Sequence, residues 1–314
     1  MRRVVVIPVS GYGNRLQAIA SASILADDAG AELAICWIPD EVAPVPADRV
    51  LSQALCNAHL VTADELRETT GIDPAAVPRY LHRRASTITL AGHDRGEQVF
   101  MGDLAHLLAE AGMDTVVIRA GGRYALPTLD EVTFRERRRT FYRGSILTDA
   151  IEAAAAQQAS QRAPFLGLHL RYTDRAHQAP TPRTIERAVR SLARRTGIKE
   201  FFIASDTASV RNAWSDRLAG LGLGSWIATH DSWDRSTAGS EVAALVDWRI
   251  LTRSAGLVYF AESTFAVEAA VASDGCVDSL ALPPSPARSL AVRGMTLLRA
   301  AATYPRRHGW LPGA

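Results

Sequence analysis

"RVVVIPVSGYGNRLQAIASA", residues 3–22, is the stretch that decides the fold. Its apolar, largely β-branched run (3–9) reads as a buried strand, and the alanine-rich run after it reads as a helix over 15–29. Between them stands Gly11-Tyr12-Gly13. A strand that ends in Gly-x-Gly and feeds a helix lets backbone approach a ligand closely, with the free N–H groups of the helix N-terminus facing it. Alone, the motif has a second reading: a tight turn, with Asn14 as a helix cap and Arg15 as a surface charge. A dinucleotide fingerprint needs a third glycine where this chain has Leu16, although Asp40 stands where the acid after strand two is expected.

The alternation continues outward. Strands are expected at 32–38, 86–90 and 114–120, then a long helix at 145–162. A second series follows: strand 164–171, helix 182–196, strand 200–206, helix 207–219, strand 225–229, helix 239–253, strand 256–262, helix 263–273 and strand 276–282. Strands alternating with helices imply parallel sheets covered on both faces. Two series of similar length predict an N-terminal Rossmann-like lobe (1–160), a C-terminal Rossmann-like lobe (161–287) and a helical tail (288–314).

Composition narrows the function. The 314 residues carry a net charge of +2, which offers no strong field to nucleic acid or acidic lipid, and Lys199 is the one lysine among 35 basic residues. No run reaches the roughly 18 apolar residues of a membrane span. The basic, then apolar start runs into a glycine turn without a small-residue cleavage site, so it reads as strand one of a cytoplasmic enzyme. Three cysteines in apolar contexts, Cys36, Cys56 and Cys276, read as reduced core residues. No metal-binding spacing is present, and no metal site is expected.

"PFLGLHLRYTDR" (164–175) carries the most chemistry. The strand is almost wholly apolar, so it should be central. Residues two apart face the same side, so His169 and Arg171 point together at the carboxyl end of a parallel strand, where open α/β sheets bind ligands. Arginine there suits a phosphate, or else pairs with Asp174 as a structural bridge. Downstream, "FFIASD" ends on Asp206 at a helix start, open to reading as a cap or as a ribose or base contact. "EVAALVDWRIL" sets Asp247 among apolar neighbours. "VYFAESTFAVEA" places Ser263 and Thr264 at another strand-to-helix junction, suited to a phosphate or to ordinary capping.

Taken in order, "GYGNRLQAI", "HLRYTDR", "IASD", "ALVDWRIL" and "AESTFAVEA" resemble the GDP-fucose fucosyltransferase superfamily, over about 250 residues. "ICWIPD" followed by "LSQAL" adds to the likeness. The resemblance implies a GT-B fold, two Rossmann-like lobes facing a cleft, with the donor between them. It implies that His169 and Asp247 contact guanine and that Arg171 grips the β-phosphate. Gly11, Gly13, Asn14, Ser263 and Thr264 assist there, while Asp174 and Asp206 belong to the same donor site.

The chain departs from the α1,6 branch in having Tyr172 after Arg171, and its loop 175–182 lacks the acid some relatives carry there. His177 is the first candidate for general base, with Asp40, Glu41 and Asp94 behind it. The implied reaction moves fucose, or a related sugar, from a GDP-sugar to a glycan, peptide or small-molecule hydroxyl, with inversion and without metal or cofactor. Two alternatives stand beside it: an NAD(P)-dependent oxidoreductase, and a GDP-sugar-binding protein without catalysis.

Overall fold

The computed structural model describes residues 3–77, 82–84, 87–91, 99–100, 115–125, 129–172, 179–229, 240–273, 275 and 278–284. The N-terminal half runs β1 (Arg3–Pro8), α1 (Tyr12–Ala29), β2 (Glu32–Ile35), α2 (Gln53–His59), α3 (Ala63–Thr70), β3 (His82–Arg84), β4 (Thr87–Ala91), β5 (Val99–Phe100), β6 (Thr115–Ala120) and β7 (Tyr124–Ala125). Two helices follow, α4 (Glu131–Arg143) and α5 (Asp149–Ser160). The C-terminal half runs β8 (Leu166–Leu170), α6 (Pro182–Thr196), β9 (Glu200–Ser205), α7 (Ala208–Gly220), β10 (Gly224–Trp226), α8 (Ser240–Thr252), β11 (Leu257–Phe260), α9 (Thr264–Ala272) and β12 (Leu280–Leu282). The expected tail, 288–314, lies outside the described residues.

Each half builds its own five-stranded sheet. The first has the order β2-β1-β6-β4-β3, parallel except for the antiparallel β3–β4 edge. The second has the order β10-β9-β8-β11-β12 and is parallel throughout. In each sheet the chain steps outward on one side and then returns to the other side of its first strand. Topological switch points therefore fall between β1 and β6 and between β8 and β11, and open α/β sheets bind ligands beyond the carboxyl ends of such strands. β8 is the middle strand, and all five of its residues are buried, which its nearly unbroken apolar run requires.

Local signals set many of the boundaries. α6 starts where the Thr181 hydroxyl accepts from the Thr184 N–H and Pro182 fills the first turn; it stops at Gly197, left-handed at φ 73°. Its buried residues Ile185, Ala188, Val189 and Leu192 fall on one side, against β8, β9 and β11. α1 begins at Tyr12, three residues before the periodicity suggests, so Gly11 is the N-cap and Gly13 and Asn14 lie inside the first turn. α4 falls in a stretch so rich in arginine that no apolar period marks it as buried, yet Phe134, Arg138 and Tyr142 are all buried.

The two halves share one core. Val4, Leu16 and Ile19 of the first half and Phe202, Trp248, Leu257 and Ala269 of the second belong to the same apolar cluster. α5 packs on α8, and α9 packs on both α1 and α4.

Candidate functional site

The two switch points meet. Gly13, in the first turn of α1, lies so close to the start of α9 that a Cβ there would sit 2.5 Å from both N and Cα of Phe265. The N-termini of α1 and α9, one from each half, are therefore backbone neighbours. Neither has a side-chain cap: Gly11 offers none, and the Ser263 hydroxyl makes no capping bond. Elsewhere Ser52, Thr62, Asp130 and Thr181 cap α2, α3, α4 and α6, while Thr148 and Thr207 make no capping bond at α5 and α7, so it is the adjacency of the α1 and α9 ends that sets this corner apart. Two adjacent helix N-termini with uncapped N–H groups make a positive, donor-rich corner.

The two glycines of the first loop have different work. Gly13 is needed for the contact with Phe265, a packing reason independent of any ligand. A Cβ on Gly11 would meet only Val42 Cγ1, at 3.7 Å, so its side of the loop is open. The turn before them is held tightly. Ser10 is left-handed at φ 71°, costly for a residue with a Cβ. The Asn14 amide donates to the Ser10 hydroxyl at 2.9 Å, and Arg15 Nε donates to the Ser10 carbonyl at 2.9 Å. Arg15 is not a surface charge: it is fully buried. It donates to the Ile38 carbonyl at 2.9 Å, pairs with Asp40 at 2.7 Å and lies over the Trp37 ring. Asp40 is thereby occupied, since its carboxylate also accepts from the Val42 and Ala43 N–H groups. That leaves it poorly placed both as a general base and as the ribose acceptor of a dinucleotide site.

On the second half, the ends of β8, β9 and β11 supply the expected side chains. His169, near the end of β8, is buried, and its ring centroid lies 5.4 Å from that of Phe265. Burial, helped by the Arg171 charge and opposed by Asp206, pulls the imidazole down to about 4, so it is neutral at physiological pH. Among the described residues, its buried Nδ1 has no hydrogen-bond partner, nor has the buried Ser263 hydroxyl. With Asn14 Oδ1, likewise unpartnered among the described residues, they give the uncapped helix ends polar atoms that can bond a ligand.

Asp206, just past β9, accepts from the Tyr172 N–H at 3.1 Å and so ties the segment after β8 to the end of β9. Arg211 of α7, buried, donates to the Ser205 carbonyl at 2.5 Å. Burial lowers the pKa of its guanidinium, while Asp247 and then Asp206 oppose the shift. Asp247 is itself buried on α8. The fold thus brings His169, Arg171, Asp206, Ser263 and Thr264 to the carboxyl-end rim of the second sheet, sets Asp247 of α8 within electrostatic reach of Arg211, and brings Gly13, with Gly11 and Asn14 in the same turn, against Phe265. Asp174, His177 and Asp94 lie outside the described residues. Glu41 is exposed on its loop. Among the described residues, no group of three His, Cys, Asp or Glu side chains is placed to hold a metal ion.

A second polar cluster underlies this corner. Glu268 of α9 is fully buried. Its carboxylate accepts from Arg138 Nη1 at 2.5 and 2.6 Å, from the Tyr142 hydroxyl at 2.7 Å and from Gln17 Nε2 at 2.7 Å. It joins α1, α4 and α9 one to two turns below the two helix N-termini. The sequence singles out neither Arg211 nor Glu268, and it presents Arg15 as a surface charge. A single acid inside the apolar run "TFAVEAAVA" was the available signal for Glu268; Ser10 gave none.

No protein-family model and no curated protein matches the chain. Solved structures do. The apo form of POFUT1 superposes with a TM-score of 0.53 and 13% identity over 89% of this chain and 97% of its own. NodZ alpha-1,6-fucosyltransferase soaked with GDP-fucose gives a TM-score of 0.52 and 16% identity, over 87% of this chain and 92% of its own. The fucosyltransferase NodZ from Bradyrhizobium gives 0.51 and 17%, over 85% and 92%. At these identities the likeness is one of fold: the chain has the α/β architecture of these fucosyltransferases.

Proposed function

We propose that the chain is an inverting glycosyltransferase that moves fucose, or a related sugar, from a GDP-sugar to an acceptor hydroxyl. One observation carries the reading. Two uncapped helix N-termini, touching at Gly13 and Phe265, stand beside a neutral buried His169 and a buried Ser263 hydroxyl, and among the described residues the His169 Nδ1 and the hydroxyl have no protein partner. That corner accepts an anion together with hydrogen-bonding groups, as a nucleoside diphosphate would require. The fold shared with a fucosyltransferase soaked with GDP-fucose supports the same donor.

In this mechanism His169 and Asp247 hold the base, and Arg171 lies against the β-phosphate. As the sugar leaves, negative charge grows on that phosphate. Arg171 and the N–H groups of α1 and α9 stabilise it in place, so the step needs neither metal nor cofactor. A base in the acceptor site, with His177 first among the candidates, takes the acceptor proton. Cys36 and Cys56, free and buried, suit a cytoplasmic enzyme.

The test is a hydrolysis screen of GDP-sugars with and without EDTA, beside calorimetry with GDP and with NAD. Turnover of GDP-fucose untouched by EDTA, together with GDP binding, is expected; NAD binding without GDP binding would overturn the reading. Arg171→Ala should lose about 2–4 kcal/mol of transition-state stabilisation, roughly 30- to 1000-fold in rate. Undiminished turnover would remove Arg171 from its role.

A further inference from the structure

The outer face of α6 carries four exposed arginines, Arg183, Arg187, Arg190 and Arg194. Their spacing of four, three and four residues, at 100° per residue, confines them to an arc of about 60° and spreads them over about 16 Å of helix. The opposite side of the helix is buried on the second sheet, so this ridge faces away from the junction of the two halves. Among the described residues, none of the four is within ion-pair or hydrogen-bonding distance of a partner. Their basic neighbours are occupied: Arg195 bonds the Asp278 carbonyl at 2.6 Å, and Arg217 pairs with Glu186, the one acid on α6, at 2.7 Å.

Helix energetics account for only part of this arrangement. Arg183–Arg187, Arg187–Arg190 and Arg190–Arg194 are like-charge pairs at helical neighbour spacing, and each destabilises the helix. Arg183 stands in the first turn, where the helix dipole disfavours a cation, while Arg194 stands in the last turn, where it favours one. An amphipathic helix needs polar residues on its outer face, but it does not need them all of one sign. Glu186, three residues after Arg183 and four before Arg190, offsets part of this repulsion, but four exposed arginines against one acid leave a positive ridge whose charge an external anion would neutralise.

We infer that this ridge docks the protein on an anionic phospholipid surface. The net charge of +2 gives the chain no strong overall field, but four of its arginines are concentrated on this one ridge, so charge complementarity there defines an anion, and shape selects among anions. A straight, convex ridge presents its four guanidinium groups to one plane, so a flat layer of phosphates can meet all four at once. A flexible polyanion is better held by a groove. No aromatic side chain stands on the ridge to stack a nucleobase, as single-stranded nucleic acid binding requires. Guanidinium pairs bidentately with phosphate, and each arginine at such a surface strengthens binding roughly fivefold. The attachment is weak, reversible and salt-sensitive, and it leaves the donor corner facing elsewhere.

The test is co-sedimentation of the intact protein with vesicles of phosphatidylcholine alone and with vesicles rich in phosphatidylglycerol. Binding only to the latter, and its loss at high salt, is expected. Arg187→Gln/Arg190→Gln should weaken it about 25-fold, while the melting temperature stays level or rises because repulsion is relieved. Arg183→Gln/Arg194→Gln provides a second variant with the same expectation. Wild-type protein that ignores phosphatidylglycerol, or variants that bind as well as wild type, would overturn the inference. So would inorganic polyphosphate or RNA that binds more tightly than the vesicles and depends on the same arginines. GDP binding should be unchanged in both variants, which keeps this result separate from that of the donor site.

Discussion

Replacing Gly13 by alanine tests the junction of the two halves directly. The new methyl would sit 2.5 Å from N and Cα of Phe265 and 3.1 Å from its Cβ. Carbon atoms in contact settle near 3.5–4.0 Å, so α1 and α9 must part by about 1 Å. Two of the three obstructing atoms are backbone, and no rotamer moves them away. The same displacement pulls on the 2.7 Å bond from Gln17 to Glu268, one turn further along α1. Overpacking costs about 1–3 kcal/mol, and loss of a hydrogen bond to a buried carboxylate about 1.5–3 kcal/mol. Alanine gains up to about 1 kcal/mol over glycine in a helix, and less in its first turn.

The net expectation for Gly13→Ala is a loss of about 2–5 kcal/mol in urea unfolding followed by tryptophan fluorescence. Gly11→Ala is the control. Its methyl would lie 3.7 Å from Val42, and its backbone, φ −65° and ψ 166°, suits any residue. Its stability should fall by no more than about 1 kcal/mol, because the preference for glycine over alanine at an N-cap is partly offset by alanine restricting the unfolded chain. Equal midpoints for Gly13→Ala and wild type would refute the close approach of α1 and α9.

Other outcomes follow from the same geometry. Arg138→Ala strands the buried Glu268 carboxylate and should cost about 3–5 kcal/mol, whereas Arg138→Met/Glu268→Met should recover most of it; a single variant losing under about 1 kcal/mol would show that the pair is solvated. Ser263→Ala removes a buried hydroxyl with no protein partner among the described residues, so stability should hold or rise while GDP affinity falls by about 0.5–1.5 kcal/mol in calorimetry; the opposite pattern would make Ser263 structural.

His169, with its folded pKa lowered to about 4, binds its proton more readily when unfolded. Its contribution should be complete above about pH 6.5 and fade as pH falls through about 4, with a span on the order of 3 kcal/mol. Wild type minus His169→Asn, compared in urea across that window, isolates it; a flat difference would mean that the imidazole is solvated.

Much of the scaffold was legible because its signals are local. The strand–helix alternation of the second half is written in period and punctuation: helix 182–196 was expected at the limits where Thr181 and Gly197 set it. β8 announced itself as a central strand because both of its faces are buried. The polar residues at strand ends could be named, since a parallel sheet sends its carboxyl ends to one rim. α4 escaped because its buried side includes Arg138, and an arginine reads as solvated until its partner is known.

By itself, then, the sequence determined the α/β class, the order of strands and helices along the chain and the residue types at each strand end. It could not say which strand neighbours which, nor that Gly13 meets Phe265 and Gln17 meets Glu268 some 250 residues later. Those pairings belong to no local period; they exist only when two sheets and the helices between them close on one core. Tertiary structure alone turned one glycine of Gly11-Tyr12-Gly13 into tight backbone packing and left the other, among the described residues, with only an ordinary contact to Val42, because only the position of α9 tells the two apart.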